Sequence, residues 1–226
     1  MHIAILMTNT DESVFAQGWP KDGEKFVALI SPLRPDWEFT VFAVKDGVFP
    51  ADLAAFDGFI ITGSPASVHD EQLWVRQLLD VIQQVSAQHI PMFGACFGHQ
   101  AIAMALGGSV GPNPDGWVLG QTETTMEGAT IGLYAAHREQ VLSAPKGSRV
   151  LGGNTVCPIG SFAIGTDVMT TQYHPEMTHA FIGALVEHLD GALPKTVIER
   201  AKASLARKAE TDRMAQVIVR FLERSA

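Results

Sequence analysis

The sequence predicts an α/β protein with a mostly parallel central sheet flanked by helices, added antiparallel strands and a helical C-terminus. Three observations predict it. Up to Gly108, short apolar runs alternate with amphipathic stretches, the pattern of βαβ units. Between Leu119 and Tyr173 the runs shorten and are separated by Gly and Pro. After His174-Pro175-Glu176 a helical pattern continues to the end.

In order along the chain, His2 to Met7 reads as a short buried strand, and Trp37 to Val44 alternates as a second strand would. Gly23 to Ser31 lies between them as a helix. Phe56 to Ile61 makes a third strand that runs into Thr62-Gly63-Ser64-Pro65, a turn signal. Asp70 to Gln88 is the clearest helix, because Trp74, Leu78, Ile82 and Val85 form one apolar stripe. Ile90 to Gly94 is a short apolar strand. Phe97 to Leu106 is a helix that stops at Gly107-Gly108. Thr122 to Met126, Ile131 to Ala135, Phe162 to Ile164 and Met169 to Tyr173 read as antiparallel strands added beside the parallel core. Leu193-Pro194 breaks the helical C-terminal region, whose last helix runs from Asp212 to Leu222. No repeat or long linker divides the chain. The expected organisation is one catalytic domain over residues 1–190, with a helical extension over 191–226 packed on it.

Composition narrows the function. A formal charge of −8 and a pI near 5.4 disfavour nucleic acid and anionic membrane as partners, since binding to phosphates rests on Lys and Arg. The N-terminus lacks the layout of a signal peptide, and no apolar run reaches the ~18 residues needed to span a bilayer. Two cysteines, Cys96 and Cys157, are too few for a disulfide scaffold and fit a reducing compartment, so a cytoplasmic location is expected.

The chemistry centres on Gly94-Ala95-Cys96-Phe97-Gly98, placed where a strand ends and a helix begins, the form of a nucleophile elbow with cysteine in place of serine. Glycines there permit close approach of neighbouring backbone. At a helix N-terminus the macrodipole and free N–H groups favour thiolate over thiol. The competing reading, a buried inert cysteine, applies better to Cys157, which has no elbow around it. A thiol nucleophile gains from a base, and the base from a group that fixes its tautomer. His174-Pro175-Glu176 supplies both, because proline favours extended backbone before it and positions two apart in an extended chain share a side. Taken alone an H-x-E is a common strand-end arrangement. It becomes informative with Cys96 upstream, in the order Cys, His, Glu.

Gly94-Ala95-Cys96-Phe97-Gly98-His99-Gln100 and Gln172-Tyr173-His174-Pro175-Glu176 together resemble the two signatures of class I glutamine amidotransferase domains. Thr62-Gly63-Ser64-Pro65 resembles the family's Gly-rich oxyanion loop, and the three motifs fall in family order. The resemblance implies a Rossmann-like class I glutamine amidotransferase fold. It implies Cys96 as nucleophile, His174 as general base and acid, and Glu176 as the orienting carboxylate. Backbone N–H groups of Gly63 and Phe97 would form the oxyanion hole, with Ser64 and Gln100 contacting the glutamyl moiety. Ala136-His137-Arg138 occupies the place where the family recognises the substrate's α-amino and α-carboxylate groups. Its side chains depart from the Ser-containing forms of ammonia-channelling members.

No metal or other cofactor is expected. His69-Asp70-Glu71 and the set His174, Glu176 and His179 match neither H-E-x-x-H nor a Cys/His zinc spacing, and no phosphate-binding Gly-rich motif occurs. The expected reaction is hydrolysis or transfer of the γ-glutamyl amide of glutamine, or of a γ-glutamyl amide or peptide, through a γ-glutamyl thioester. The Cys-Phe-Gly-His-Gln form is similar to stand-alone members such as γ-glutamyl peptidases. One alternative is a glutaminase subunit, like the glutaminase domain of GMP synthase, that delivers ammonia to a separate synthetase. The other is a non-catalytic binding or redox-sensing relative. The oligomeric state is left open.

Overall fold

The computed structural model describes residues 1–224, so the last two residues of the extension expected over 191–226 lie outside the described residues. The first half alternates strand and helix: β1 (His2–Met7), the short α1 (Val14–Gln17), α2 (Asp22–Ile30), β2 (Glu38–Ala43), β3 (Gly58–Ile61), α3 (Leu73–Ala87), β4 (Met92–Ala95) and α4 (Phe97–Ala105). Strands then dominate, with β5 (Ser109–Pro112), β6 (Val118–Met126), β7 (Ala129–His137), β8 (Glu139–Ser143), β9 (Arg149–Gly152), β10 (Ser161–Ile164) and β11 (Val168–Thr171). The chain continues as α5 (His179–His188), α6 (Lys195–Ser204) and α7 (Thr211–Arg224).

The main sheet has seven strands in the order β2-β1-β3-β4-β11-β10-β9. The first five are parallel, and β10 and β9 extend that edge antiparallel. β1, β3 and β4 read as unbroken apolar runs because both of their faces are covered. Ala4, Leu6, Phe59 and Ile61 face the stripe of Trp74, Leu78, Ile82 and Val85 on α3 and Phe97 and Ile102 on α4. Ile3, Ile5, Ile60 and Phe93 face Phe26 and Ile30 on α2 and Met214, Ile218 and Leu222 on α7. A third cluster packs Phe181, Ile182 and Val186 of α5 and Ile198 of α6 against Leu119 and Tyr134 of the β6–β7 hairpin.

Several expectations are corrected in detail. The run near Met169 is not an added antiparallel strand: β11 lies parallel beside β4, with Thr171 opposite Ala95, and completes the parallel set. The α3 helix starts at Leu73 rather than Asp70, because the Asp70 carboxylate accepts the Ser67 N–H at 3.0 Å and closes a turn first. The strands expected at Thr122 to Met126 and Ile131 to Ala135 are the inner parts of a longer hairpin outside the main sheet. Its two-residue turn, Glu127-Gly128, has φ of 49° and 82°, as a type I′ turn requires. β5, β8, β9 and α1 were not anticipated. The parallel core places the segments after β1, β3, β4 and β11 together at the carboxyl ends of the strands, where open α/β sheets form their crevices.

Candidate active site

Cys96 follows β4 directly and caps α4 with φ 49° and ψ −105°, a left-handed backbone that costs a non-glycine residue on the order of 1–3 kcal/mol. The neighbours hold it there. The Cys96 N–H donates to the Thr171 carbonyl at 2.8 Å and the Gly98 N–H to the Thr62 carbonyl at 3.1 Å. A Cβ at Gly94 would come within 2.7 Å of the Gly98 carbonyl, and one at Gly98 would collide with the Ile61 carbonyl. The two glycines are therefore what lets α4 begin so close to β3 and β4.

β11 delivers the partner side chains. The His174 N–H donates to the Tyr134 carbonyl at 2.9 Å, which ties this segment to the hairpin. His174 Nδ1 lies 2.7 Å from Glu176 Oε1, and both side chains are buried. Glu176 Oε2 and His174 Nε2 are buried without a hydrogen-bond partner. A carboxylate held by imidazole alone favours a proton on that imidazole. Burial is the largest influence on His174 and works against its charged form, but the Cys96 sulfur and Glu176 outweigh it and raise the pKa well above 6.5.

A side chain that sequence reasoning quoted without a role completes the group. Gln172 is fully buried, and its amide nitrogen donates to Cys96 Sγ at 3.6 Å. Its carbonyl oxygen accepts from Gln100 Nε2 at 3.1 Å, and the same nitrogen donates to the Glu139 carbonyl at 2.9 Å. Gln100 thus meets the sulfur through Gln172.

The loop after β3 forms the other side. Gly63 is buried, and a Cβ on it would stand 2.8 Å from His174 Cε1 and 3.5 Å from Cys96 Cβ. Thr8, just after β1, secures the loop, its hydroxyl lying 2.9 Å from the Thr62 carbonyl and 3.0 Å from the Gly63 carbonyl. With the Thr62 carbonyl held by Thr8 and Gly98, the planar trans peptide turns the Gly63 N–H the opposite way. Phe97, the first residue of α4, has one of the N–H groups a helix leaves without an internal partner. Ser64 is half-buried and its hydroxyl accepts the Ala66 N–H at 3.2 Å.

The predicted substrate segment is split. Ala136 is half-buried and lines the pocket described below; His137 is buried, with Nδ1 3.0 Å from the Glu139 carbonyl, and Arg138 is exposed. Burial pushes His137 down to about 4 and His99, 2.8 Å from Thr170 Oγ1, down to about 3. Both are neutral imidazoles at neutral pH. Cys157 is buried elsewhere, where burial pushes its thiol up to about 12. Among the described residues no three His, Cys, Asp or Glu side chains gather as a metal site, and no helix is long and apolar enough to cross a membrane.

A pocket of about 500 Å3 opens beside this cluster. Gly63, Ser64, Ala136 and His174 form its inner wall; Phe15, Trp19, Trp117, Phe181 and Leu185 form much of its outer wall.

Comparison with known proteins matches the same region. The family described as Glutamine amidotransferase class-I matches residues 36–186. Gamma-glutamyl peptidase 2 of Arabidopsis thaliana is 26% identical over 215 residues, covering 88% of this chain and 86% of its own. The glutamine-hydrolysing GMP synthase of Porphyromonas gingivalis is 29% identical over 144 residues, 58% of this chain but 27% of its own. A glutamine amidotransferase of Thermotoga maritima superposes with a TM-score of 0.78 over 99% of this chain and 97% of that one, at 16% identity.

Proposed function

The chain belongs to the class I glutamine amidotransferase family, and from that premise we propose that it hydrolyses the γ-glutamyl amide bond of a small γ-glutamyl amide or peptide with Cys96, His174 and Glu176. The observation that carries this reading is the buried His174–Glu176 contact of 2.7 Å, set against a sulfur held on a strained strand-to-helix turn.

The Cys96 thiolate attacks the γ-carbonyl carbon. The resulting oxyanion is received by the N–H groups of Gly63 and Phe97, each such donor contributing about 2.7 to 4 kcal/mol in comparable sites. His174, protonated and steadied by Glu176, gives its proton from Nε2 to the departing amine. The γ-glutamyl thioester remains on Cys96. His174, now neutral, takes a proton from water as the water attacks the thioester, which releases glutamate and restores the thiolate–imidazolium pair. Gln172 holds the sulfur through its amide nitrogen, with Gln100 fixing the orientation of that amide. Backbone at Ala136 to Arg138 and the Ser64 loop receive the α-amino and α-carboxylate groups.

Similarity to γ-glutamyl peptidase 2 along most of both chains supports a stand-alone hydrolase. Similarity to GMP synthase supports a second reading, a glutaminase that passes ammonia to a synthetase partner. The test is to incubate the purified chain with glutamine, γ-glutamyl amides and γ-glutamyl dipeptides, following released amine and glutamate. A stand-alone hydrolase turns over at least one γ-glutamyl amide or peptide faster than glutamine. If the chain is inert toward all of them and hydrolyses glutamine only once a synthetase from the same cell is added, the second reading replaces the first. Peroxide sensitivity of Cys96 without any hydrolysis would make the protein a redox sensor instead.

A further inference from the structure

Glutamine releases ammonia, a leaving group about the size of water, roughly 30 Å3. The pocket beside His174 has a volume of about 500 Å3. Its inner wall carries the residue that protonates the leaving amine in the proposed reaction. Gly63, Ser64 and Ala136, which the reading above gives to the oxyanion and the glutamyl moiety, line the same inner wall, so the glutamyl moiety takes up only the inner end of the pocket. The outer part, beyond His174 and walled by Phe15, Trp19, Trp117, Phe181 and Leu185, is the space left for the departing amine.

The outer wall decides what kind of amine fits. Phe15 stacks on His188 with ring centroids 4.4 Å apart and an interplanar angle of 10°, and Trp19 meets Phe181 edge-on at 5.3 Å and 85°. Phe15 and Trp19 are only half-buried, so aromatic surface is left facing the pocket. Of the charged side chains that line it, Asp22, Lys25, Glu12 and Lys45 are already paired, while Asp11 and Lys21 form no ion pair among the described residues. Lys25 pairs with Asp22 at 2.7 Å and lies 3.6 Å over the Phe181 ring; Asn9 donates to the same Asp22 at 2.7 Å. Lys45 pairs with Glu12 at 2.6 Å and with Asp46 at 2.9 Å. A charged ligand group would have to compete with the paired contacts, and Asp11 and Lys21 carry opposite charges that together favour neither sign, whereas a ring adds to the aromatic wall at no such cost.

We propose that this pocket is a leaving-group site selecting γ-glutamyl amides whose amine carries an uncharged aromatic substituent, with Trp19 as its main contact. The inference rests on the hydrolase reading above. A seated ring buries apolar area in both ground and transition states, and it also holds the scissile nitrogen near His174, so the gain appears in kcat/KM.

The experiment measures kcat/KM of the purified full chain for γ-glutamylbenzylamide, γ-glutamylmethylamide, γ-glutamylputrescine and glutamine. Benzylamide is expected to exceed methylamide by about tenfold or more, the scale on which an apolar pocket discriminates. In Trp19→Ala the benzylamide-to-methylamide ratio should fall by about fivefold or more, and Trp19→Phe should recover most of it. The ratio is internal to each protein, so partial loss of folded enzyme cancels. Phe15→Ala gives a second reading if Trp19→Ala does not fold. A ratio near one, a preference for the cationic putrescine amide, or an aromatic preference unchanged in Trp19→Ala and Phe15→Ala overturns the leaving-group site and leaves the hydrolase reading standing. If no γ-glutamyl compound is cleaved, the hydrolase reading fails and this inference fails with it.

Discussion

Cys96 and Cys157 are buried to nearly the same degree, 4% and 1% exposed, but their surroundings give the two sulfurs opposite prospects. Around Cys157 the chain turns on itself: the Asn154 N–H donates to its carbonyl at 3.0 Å, its N–H donates to Asn154 Oδ1 at 2.8 Å, and burial pushes the thiol up to about 12. Around Cys96 the backbone is strained, a glutamine amide reaches the sulfur, and a histidine with a raised pKa faces it. Burial alone does not decide whether a cysteine is inert. Desolvation disfavours the thiolate at Cys157, whereas Cys96 is set beside a histidine whose own pKa is raised.

The largest expected effect breaks the comparison at its centre. Cys96→Ala should lower turnover of a γ-glutamyl amide by about 10⁴-fold or more, as removal of a covalent nucleophile does elsewhere. A glutamine-analogue electrophile, followed by peptide mass mapping, should label Cys96 alone. Full activity in the variant would sink the assignment.

His174 and Glu176 sharpen it next, and they are not equal. His174→Ala removes both proton transfers and should cost about 10³- to 10⁵-fold in kcat, while Glu176→Gln should cost about 10- to 100-fold less than that. The pH profile separates their roles. Because the folded pKa of His174 is raised, its proton is present below the ordinary value and is lost only as pH rises through the raised one. The alkaline limb of kcat/KM should therefore lie well above 6.5, and Glu176→Gln should move it toward neutrality. A limb that stays in place would remove Glu176 from the account.

Smaller again is the effect of the loop. In Gly63→Ala the added Cβ would stand 2.8 Å from the His174 ring, so ring or loop must shift, and a shift of this kind costs about 10²-fold in kcat. Gln172→Ala removes the amide from the sulfur and should lower both kcat/KM and the rate of Cys96 alkylation by about tenfold, the scale of one hydrogen bond to a charged group. An unchanged alkylation rate would make Gln172 a packing residue only.

The sequence was legible where local chemistry dictated geometry. Gly94 and Gly98 announce close backbone approach by their spacing around Cys96, and the apolar runs of β1, β3 and β4 announce strands buried on both faces. Gln172 was not legible, because its contact with Cys96 arises only when β11 pairs in parallel with β4, and short apolar runs do not encode which neighbour they take. The aromatic wall was hidden for a similar reason: Phe15 and Trp19 meet Phe181 and His188 from opposite ends of the chain. β5, β8 and β9 have four or five residues each, interrupted or flanked by Gly and Pro, too few to establish a period.

The smallest effect on catalysis tests the other side of the comparison. Cys157→Ala deletes a buried sulfur whose neighbours are held mainly by backbone: Asn154 Oδ1 accepts from the N–H groups of Val156 and Cys157, and neither bond involves the thiol. Tyr173, next to His174 in the chain, directs its hydroxyl toward this cysteine, yet it also lies 3.4 Å from Asn154 Nδ2 and so keeps a partner when the sulfur is gone. The His174 backbone is anchored separately, to the Tyr134 carbonyl. The loss should therefore appear in stability, about 1 kcal/mol, or about 2–4 °C in Tm for a chain of this size, by thermal unfolding. Turnover should stay within about twofold of the unmodified protein, because the deletion leaves the contacts of Cys96 and His174 in place. If Cys157→Ala instead removed turnover as completely as Cys96→Ala while keeping its melting temperature, the two cysteines would share the chemistry, and the contrast drawn from their surroundings would be wrong.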